Sequence, residues 1–182
     1  MSQIFKDKSL LTLSLLAIAA FVPLFIFRQA GPLDFWWWMS ANLILLISLG
    51  LASDKLYRRT LFQQGHLEPL KAIAGGVFAA LILFIIFWAG NHLSRFLFDF
   101  ASENIVSIYD FKGDAAEIRI FLLMMLIIGP GEEIFWRGYI QMKLEQPLGK
   151  TRAFIFASIF YTAVHIFSGN PILVLAALVC GL

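Results

Sequence analysis

Long apolar runs separated by short polar segments dominate the chain. A helix needs about 20 mostly apolar residues to cross a bilayer. Runs of this kind lie at residues 9–27, 33–52, 73–92, 116–140 and 152–168, and a sixth begins near Pro171. The pattern predicts an all-α fold, a polytopic transmembrane helical bundle of about six helices that forms a single integral membrane domain over residues 1–182.

The sixth run is short. From Ile172 to Leu182 a helix reaches only about 16 Å at about 1.5 Å per residue, roughly half of the ~30 Å hydrocarbon thickness. A helix that stops at this depth leaves carbonyl groups without partners, which is costly in lipid. We therefore expect the last helix to be truncated and the chain to be incomplete at its carboxyl end.

Composition supports a membrane protein. Hydrophobic residues make up 60% of the 182 residues and charged residues 14%, against about 25% charged in soluble domains, and the mean hydropathy is +0.81. A soluble core could not hide so much apolar surface, so the lipid bilayer is the expected partner. The net charge of +2 is small and dispersed, which excludes a nucleic-acid-binding stripe. Cys180 is the only cysteine, so no intrachain disulfide can form.

Charged residues between the runs predict the orientation. Cytoplasmic loops of membrane proteins are rich in lysine and arginine. Basic residues precede the first run and fill the second loop, whereas the 93–115 loop is acidic; the basic ones are Lys6, Lys8, Lys55, Arg58, Arg59 and Lys71. We expect a multi-pass protein of the cell membrane with a cytoplasmic amino terminus.

Three charged residues lie inside the fourth run. Glu132, Glu133 and Arg137 occupy a segment where each charge costs roughly 2.5 to 3.5 kcal/mol, so such groups usually mark function. Glu133 and Arg137 are four apart on a helix and can pair, while Glu132 points about 100° away and is free to act as a general base. Alternatively, Glu133 and Arg137 form a purely structural ion pair near the cytoplasmic end.

The Gly129-Pro130-Gly131 sequence lies directly before these charges. Proline lacks an N–H and crowds the preceding turn, which weakens a helix. The sequence predicts either a kink or break that admits water, or a kink that serves packing alone.

His165 is the second candidate, in the apolar fifth run. The fourth and fifth helices are joined by a short loop and should be antiparallel neighbours, so His165 can face Glu132. The contact requires tilt or a longer fourth helix, because His165 lies about 20 Å from the cytoplasmic start of its own helix. A hydrogen-bonded core histidine is the alternative. His66 and His92 lie in a loop and at a helix end, where neither suggests a ligand.

These residues resemble the CAAX prenyl endopeptidase and bacteriocin-processing family, also called CPBP or Abi. Its first motif, Glu-Glu-x-x-x-Arg, is matched by Glu132, Glu133 and Arg137. Its second, Phe-x-x-x-His, is matched in His165, with Tyr161 at the aromatic position. The resemblance covers roughly residues 116–182.

The resemblance implies an intramembrane endopeptidase in which Glu132 and His165 activate water and Glu133 and Arg137 orient the site. It further implies a membrane-embedded or prenylated peptide or protein substrate and a bacterial cell membrane. The family is often described as metalloendopeptidase, and Glu132 and His165 would then hold a divalent metal such as zinc. A catalytic zinc takes three protein ligands, and a metal-free, glutamate-activated water fits these residues at least as well. The family's further histidine helix, which would polarise the scissile carbonyl, is not in the sequence.

Two other functions stay open. A non-catalytic membrane scaffold or bacteriocin self-immunity protein of the same family would work without Glu132, whereas the endopeptidase would not. A transporter fragment would use the buried carboxylates as an ion path. Transporters often contain paired broken helices, and this sequence has one Gly-Pro interruption.

Overall fold

A computed structural model describes residues 7–63 and 68–182 of the chain. Lys6, which contributed to the predicted orientation, and His66, which was considered as a ligand, lie outside the described residues.

Helices account for most of the described chain. They are α1 (Lys8–Phe27), α2 (Phe35–Ser53), α3 (Lys55–Gln63), α4 (Pro69–Leu97), α5 (Ala101–Tyr109), α6 (Glu117–Leu123), α7 (Gly129–Glu132), α8 (Met142–Leu148), α9 (Lys150–His165) and α10 (Pro171–Gly181). Two π-helical segments, Met124–Ile128 and Glu133–Gln141, join α6, α7 and α8 into one continuous helix over 117–148, called here the central helix. A two-residue antiparallel hairpin, β1 (Gln29–Ala30) and β2 (Leu33–Asp34), connects α1 to α2.

The predicted all-α membrane bundle is confirmed. In the described part of the chain, four helices are long and apolar enough to cross a bilayer, at Lys8–Phe27, Phe35–Ser53, Leu70–Leu97 and Lys150–Ser168. The central helix adds a fifth long element, about 48 Å at about 1.5 Å per residue, and α10 is the short sixth. These elements coincide with the six apolar runs.

Two helices were not expected from the apolar runs, because they lie in the polar connections. Helix α3 is amphipathic and inserts Tyr57, which is 1% exposed, beneath the end of α2. Helix α5 buries Ala101 and Ile105 and leaves its other face open. The connections that contain α3 and α5 therefore pack partly against the bundle.

The core lies between α1, α2, the central helix and α9, with α10 packed along α9. Helix α4 stands at the edge of this core and meets mainly α5. A cavity of about 480 Å³ lies between α4, α5 and α10, and its walls are almost entirely apolar. The apolar window of α4 has no buried residues, which fits a helix whose outer surface is covered by lipid.

Polar contacts tie the helix ends together at both ends of the bundle. At one end, Lys143 of α8 pairs with Asp7, the N-cap of α1, at 2.8 Å, and with Asp54, the C-cap of α2. At the opposite end, Asp34 caps α2 through the amides of Trp36 and Trp37 and also pairs with Arg119 of α6. The elements predicted to share a side of the membrane therefore meet at the same end.

Candidate active site

The central helix changes its hydrogen-bond pattern on both sides of Gly129-Pro130-Gly131. The chain does not break there. Residues 129–132 are α-helical, and the flanking segments have the wider i→i+5 bonding of a π-helix. A side chain at Gly129 would lie 3.0 Å from the carbonyl oxygen of Met124, so this turn has no room for one. Short π segments often occur at functional sites, and here they border the residue Glu132.

Gly131 brings the central helix against α2. A Cβ atom at this position would lie 3.3 Å from the Cβ of Leu43 and 3.6 Å from the Cδ1 of Ile47. The two helices therefore cross closely one residue before Glu132. This crossing gives the Gly-Pro-Gly segment a packing role.

Glu132 faces α9. Its side chain is partly buried, and its Oε2 accepts a hydrogen bond from the hydroxyl of Tyr161, with 3.3 Å between the oxygens. Tyr161 is 8% exposed and belongs to the buried core. The carboxylate is thus held on the inner side of the central helix.

His165 lies one turn beyond Tyr161 on α9 and is 7% exposed. Its Nδ1 is 2.8 Å from the backbone carbonyl oxygen of Tyr161. A carbonyl oxygen only accepts hydrogen bonds, so Nδ1 carries the proton and Nε2 of the neutral ring presents a lone pair. The ring lies between Phe25 and Tyr161, with centroid distances of 4.6 and 4.7 Å. These contacts fix both the tautomer and the ring plane.

The two candidate residues lie at similar depth. Glu132 is 16 positions before the end of the central helix at Leu148, and His165 is 15 positions after the start of α9 at Lys150, each about 22 to 24 Å along the helix axis. The central helix is eight residues longer at this end than the run at 116–140 suggested. The longer helix therefore removes the mismatch in depth noted in the sequence.

The predicted ion pair between Glu133 and Arg137 is wrong. Glu133 is exposed, and the salt bridges found among the described residues do not include this pair. The Nη2 of Arg137 instead donates to the backbone oxygens of Gly181 at 2.7 Å and Cys180 at 3.3 Å. Helix α10 supplies carbonyl acceptors that the local i, i+4 spacing does not reveal, so Arg137 holds α10 against the central helix.

The described side chains do not form a three-ligand metal site. Within residues 7–63 and 68–182, no group of three or more histidine, cysteine, aspartate and glutamate side chains is close enough to hold a metal ion. A catalytic zinc takes three protein ligands, and Glu132 with His165 would supply two. The divalent metal held by these two residues stays a prediction.

Tyr161 is the site residue that sequence reasoning did not identify. It occupies the aromatic position of the second motif, where its bulk alone seemed relevant. The signal was its hydroxyl group, because a buried tyrosine O–H normally finds a hydrogen-bond partner, and Glu132 on the facing helix is the acceptor.

Comparison with known proteins identifies the same part of the chain. Residues 114–182 match the family model described as type II CAAX prenyl endopeptidase Rce1-like, and residues 1–113 lie outside the match. No curated protein and no solved structure is significantly similar to the chain. The matched segment contains the whole central helix, α9 and α10, and with them every candidate site residue described above.

Proposed function

We propose that the protein is an intramembrane endopeptidase that hydrolyses a peptide bond with a water activated by Glu132. The match of residues 114–182 to the type II CAAX prenyl endopeptidase Rce1-like family model supports this proposal. The observation that carries the proposal is the placement of Glu132: a partly buried carboxylate within a membrane helix, opposite His165 at the same depth. A carboxylate there is costly without a function.

The side chains support a simple sequence of proton transfers. Glu132 accepts a proton from a water molecule as the water oxygen attacks the scissile carbonyl carbon. His165, with Nδ1 protonated and Nε2 free, accepts a hydrogen bond from the same water and orients it. As the C–N bond breaks, Glu132 returns its proton to the leaving amine, so the carboxylate is regenerated. Arg137 keeps α10 in place beside the site, and Glu133, on the exposed side, orients the approaching substrate.

Depth within the membrane restricts the substrate. Glu132 is about 24 Å along the central helix from its Leu148 end, so a scissile bond must enter the bilayer to reach it. A membrane-embedded segment or a peptide with a prenyl chain meets this requirement, because its apolar part stabilises the inserted position. We propose substrates of this class.

The decisive experiment compares cleavage by the wild-type protein and Glu132→Gln in bilayers that contain membrane or prenylated peptides. Glutamine keeps the size of glutamate but cannot accept a proton, so we expect kcat to fall by at least about 100-fold, as for loss of a general base. Glu117→Gln is the matched control, because Glu117 is exposed at the start of the central helix and should leave cleavage unchanged.

Three outcomes would revise the proposal. Undiminished cleavage by Glu132→Gln contradicts the activation of water by Glu132, whereas absence of cleavage by the wild-type protein favours the scaffold or immunity function. Loss of cleavage by the wild-type protein on addition of a chelator keeps the site but assigns water activation to a metal ion.

A further inference from the structure

Tyr161 connects the two candidate catalytic residues through different atoms. Its hydroxyl donates to Oε2 of Glu132, and its backbone carbonyl accepts from Nδ1 of His165. Its ring lies 4.7 Å from the His165 ring and 5.6 Å from the Trp136 ring, between centroids. One residue therefore contacts both members of the pair, which do not hydrogen-bond each other directly.

We propose that Tyr161 is a positioning residue whose hydroxyl orients the Glu132 carboxylate toward the water it activates. The inference rests on the proposed function and adds to it a residue that the two sequence motifs do not include. Its physical basis is the number of rotamers open to Glu132. A glutamate side chain has three rotatable bonds, and one hydrogen bond from Tyr161 on α9 selects the orientation in which the carboxylate faces that helix.

Packing alone does not require this hydroxyl. The aromatic ring fills its place against Trp136 and His165 through contacts that a phenylalanine would also make. The resembled motif places phenylalanine at this position, so the ring is sufficient for packing there. The hydroxyl of Tyr161 is therefore not needed for packing, and it hydrogen-bonds Glu132, the carboxylate that the proposed reaction uses.

The contacts around Tyr161 also indicate what fixes the orientation of its ring. Arg137 lies 5.9 Å from the centre of the Tyr161 ring, on the side where it donates to the Gly181 carbonyl. The ring is thus held between α10 and the His165 ring, and its hydroxyl has little freedom to turn away from Glu132. The orientation of Glu132 depends on Tyr161, and that of Tyr161 depends on the surrounding helices.

The test is Tyr161→Phe, which removes one oxygen atom and keeps the ring. We expect kcat to fall about tenfold, the size expected for one hydrogen bond to a charged group, with KM unchanged because Tyr161 is only 8% exposed and offers little surface to a substrate. A structural role alone would lower the amount of folded protein without changing kcat per folded molecule. Tyr139→Phe is the matched control, since Tyr139 is a fully buried tyrosine of the central helix whose hydroxyl hydrogen-bonds Ser9 at 2.7 Å, away from Glu132. It should leave kcat and KM unchanged.

A second measurement does not depend on a substrate. The melting temperatures in detergent of Tyr161→Phe, Glu132→Leu and the double variant form a double-mutant cycle. We expect the shift of the double variant to differ from the sum of the single shifts, because each single change removes the same hydrogen bond. Additive shifts would overturn the inference.

The two measurements separate this inference from the proposed function. Inactive Glu132→Gln together with a fully active Tyr161→Phe would overturn the role of Tyr161 and keep the endopeptidase. Active Glu132→Gln would overturn the activation of water by Glu132, and the unfolding cycle would then still decide whether Tyr161 holds Glu132.

Discussion

At the scale of single residues, the candidate site consists of side chains whose roles depend on one another. Glu132 and His165 do not hydrogen-bond each other, and each contacts Tyr161. In the proposed reaction both residues act on the same water, and residues that act as one unit lose most of their joint contribution when either one is removed.

We therefore expect Glu132→Gln and His165→Ala to be strongly non-additive. Each should reduce kcat by at least about 100-fold, and the double variant should be scarcely slower than the single ones. Single-turnover cleavage in bilayers, with the amount of folded protein measured in parallel, would show it. If the reduction of kcat in the double variant equals the product of the two single reductions, Glu132 and His165 act independently.

The sequence was informative about which residues are chemically unusual and less so about what they contact. Glu132 and His165 could be selected because charge and imidazole are rare in membrane helices. The partner of Arg137 could not, because its acceptors at Gly181 and Cys180 lie more than 40 positions away and are backbone atoms with no sequence signature. Arg137 therefore bonds to distant backbone atoms and not to Glu133, its neighbour four positions earlier.

At the scale of elements, α2 and the central helix cross closely at Gly131, the residue before Glu132. A Cβ atom at Gly131 would lie 3.3 Å from the Cβ of Leu43, so a side chain there would push the two helices apart. Glycine is unfavourable in a helix interior, so its presence there is explained by this contact and not by helix propensity.

We expect Gly131→Val to lower the free energy of unfolding by about 1 to 3 kcal/mol, as for overpacking in a filled core. Gly76→Val in α4 is the matched control, because a Cβ atom there meets nothing within 4 Å. Denaturation of both variants in the same detergent would measure the difference. Equal stability would mean that α2 can move away without cost.

Element positions followed well from the apolar runs, while their internal geometry did not. The ends of α1 and α2 agree with the runs to within two residues, since the length of an apolar run reports bilayer thickness directly. The π-helical pattern at 124–128 and 133–141 has no comparable signal, because the same apolar residues suit an α-helix equally well. The helix does not break at Pro130, and π-helical turns flank it on both sides.

At the scale of the whole molecule, Lys143 joins three helix ends. Its side chain is 12% exposed, and those of Asp54 and Asp7 are 7% and 34% exposed. Burial alone would raise the pKa of Asp54, but hydrogen bonds from Lys143 and the Tyr57 amide outweigh it and lower this pKa below its ordinary value of 3.8. The same balance, with hydrogen bonds from Lys143 and the Leu10 amide, lowers the pKa of Asp7.

The lowered pKa values predict a pH dependence of stability. The ionised carboxylates stabilise the fold fully above their unfolded pKa near 3.8, and this contribution is lost as the pH falls through the lower folded values. Unfolding in detergent between pH 7 and pH 3 should therefore show constant stability down to about pH 4 and a decline below it. A decline that begins near neutral pH would contradict this assignment.

Replacing Lys143 tests the same cluster at neutral pH. Lys143→Met should lower the free energy of unfolding by about 3 to 5 kcal/mol, because it leaves Asp54 as a buried, unpaired charge. Lys112→Met is the control, since Lys112 and Glu117 form a pair that is largely exposed and should contribute less than about 1 kcal/mol.

Orientation in the membrane is a separate prediction. The end of the bundle that carries Lys143, α3 and the start of α1 is the basic one, so we expect it to face the cytoplasm. In a Cys180→Ala background, an impermeant thiol reagent added to intact cells should modify Ser102→Cys in α5 and leave Thr60→Cys in α3 unmodified. Modification of Thr60→Cys but not of Ser102→Cys would mean that the bundle has the opposite orientation in the membrane.

The Lys143 cluster also has a consequence for biosynthesis. The pair between Lys143 and Asp7 spans 136 positions, so α1 and α2 leave the ribosome long before Lys143 does. Until then both acidic helix caps face the membrane interface without this cation, and the two helices are free to separate. This end of the bundle can close only after translation has passed Lys143, when most of the central helix, including Glu132, is already made. The order of synthesis thus places the synthesis of Glu132 before the joining of α1 and α2 through Lys143.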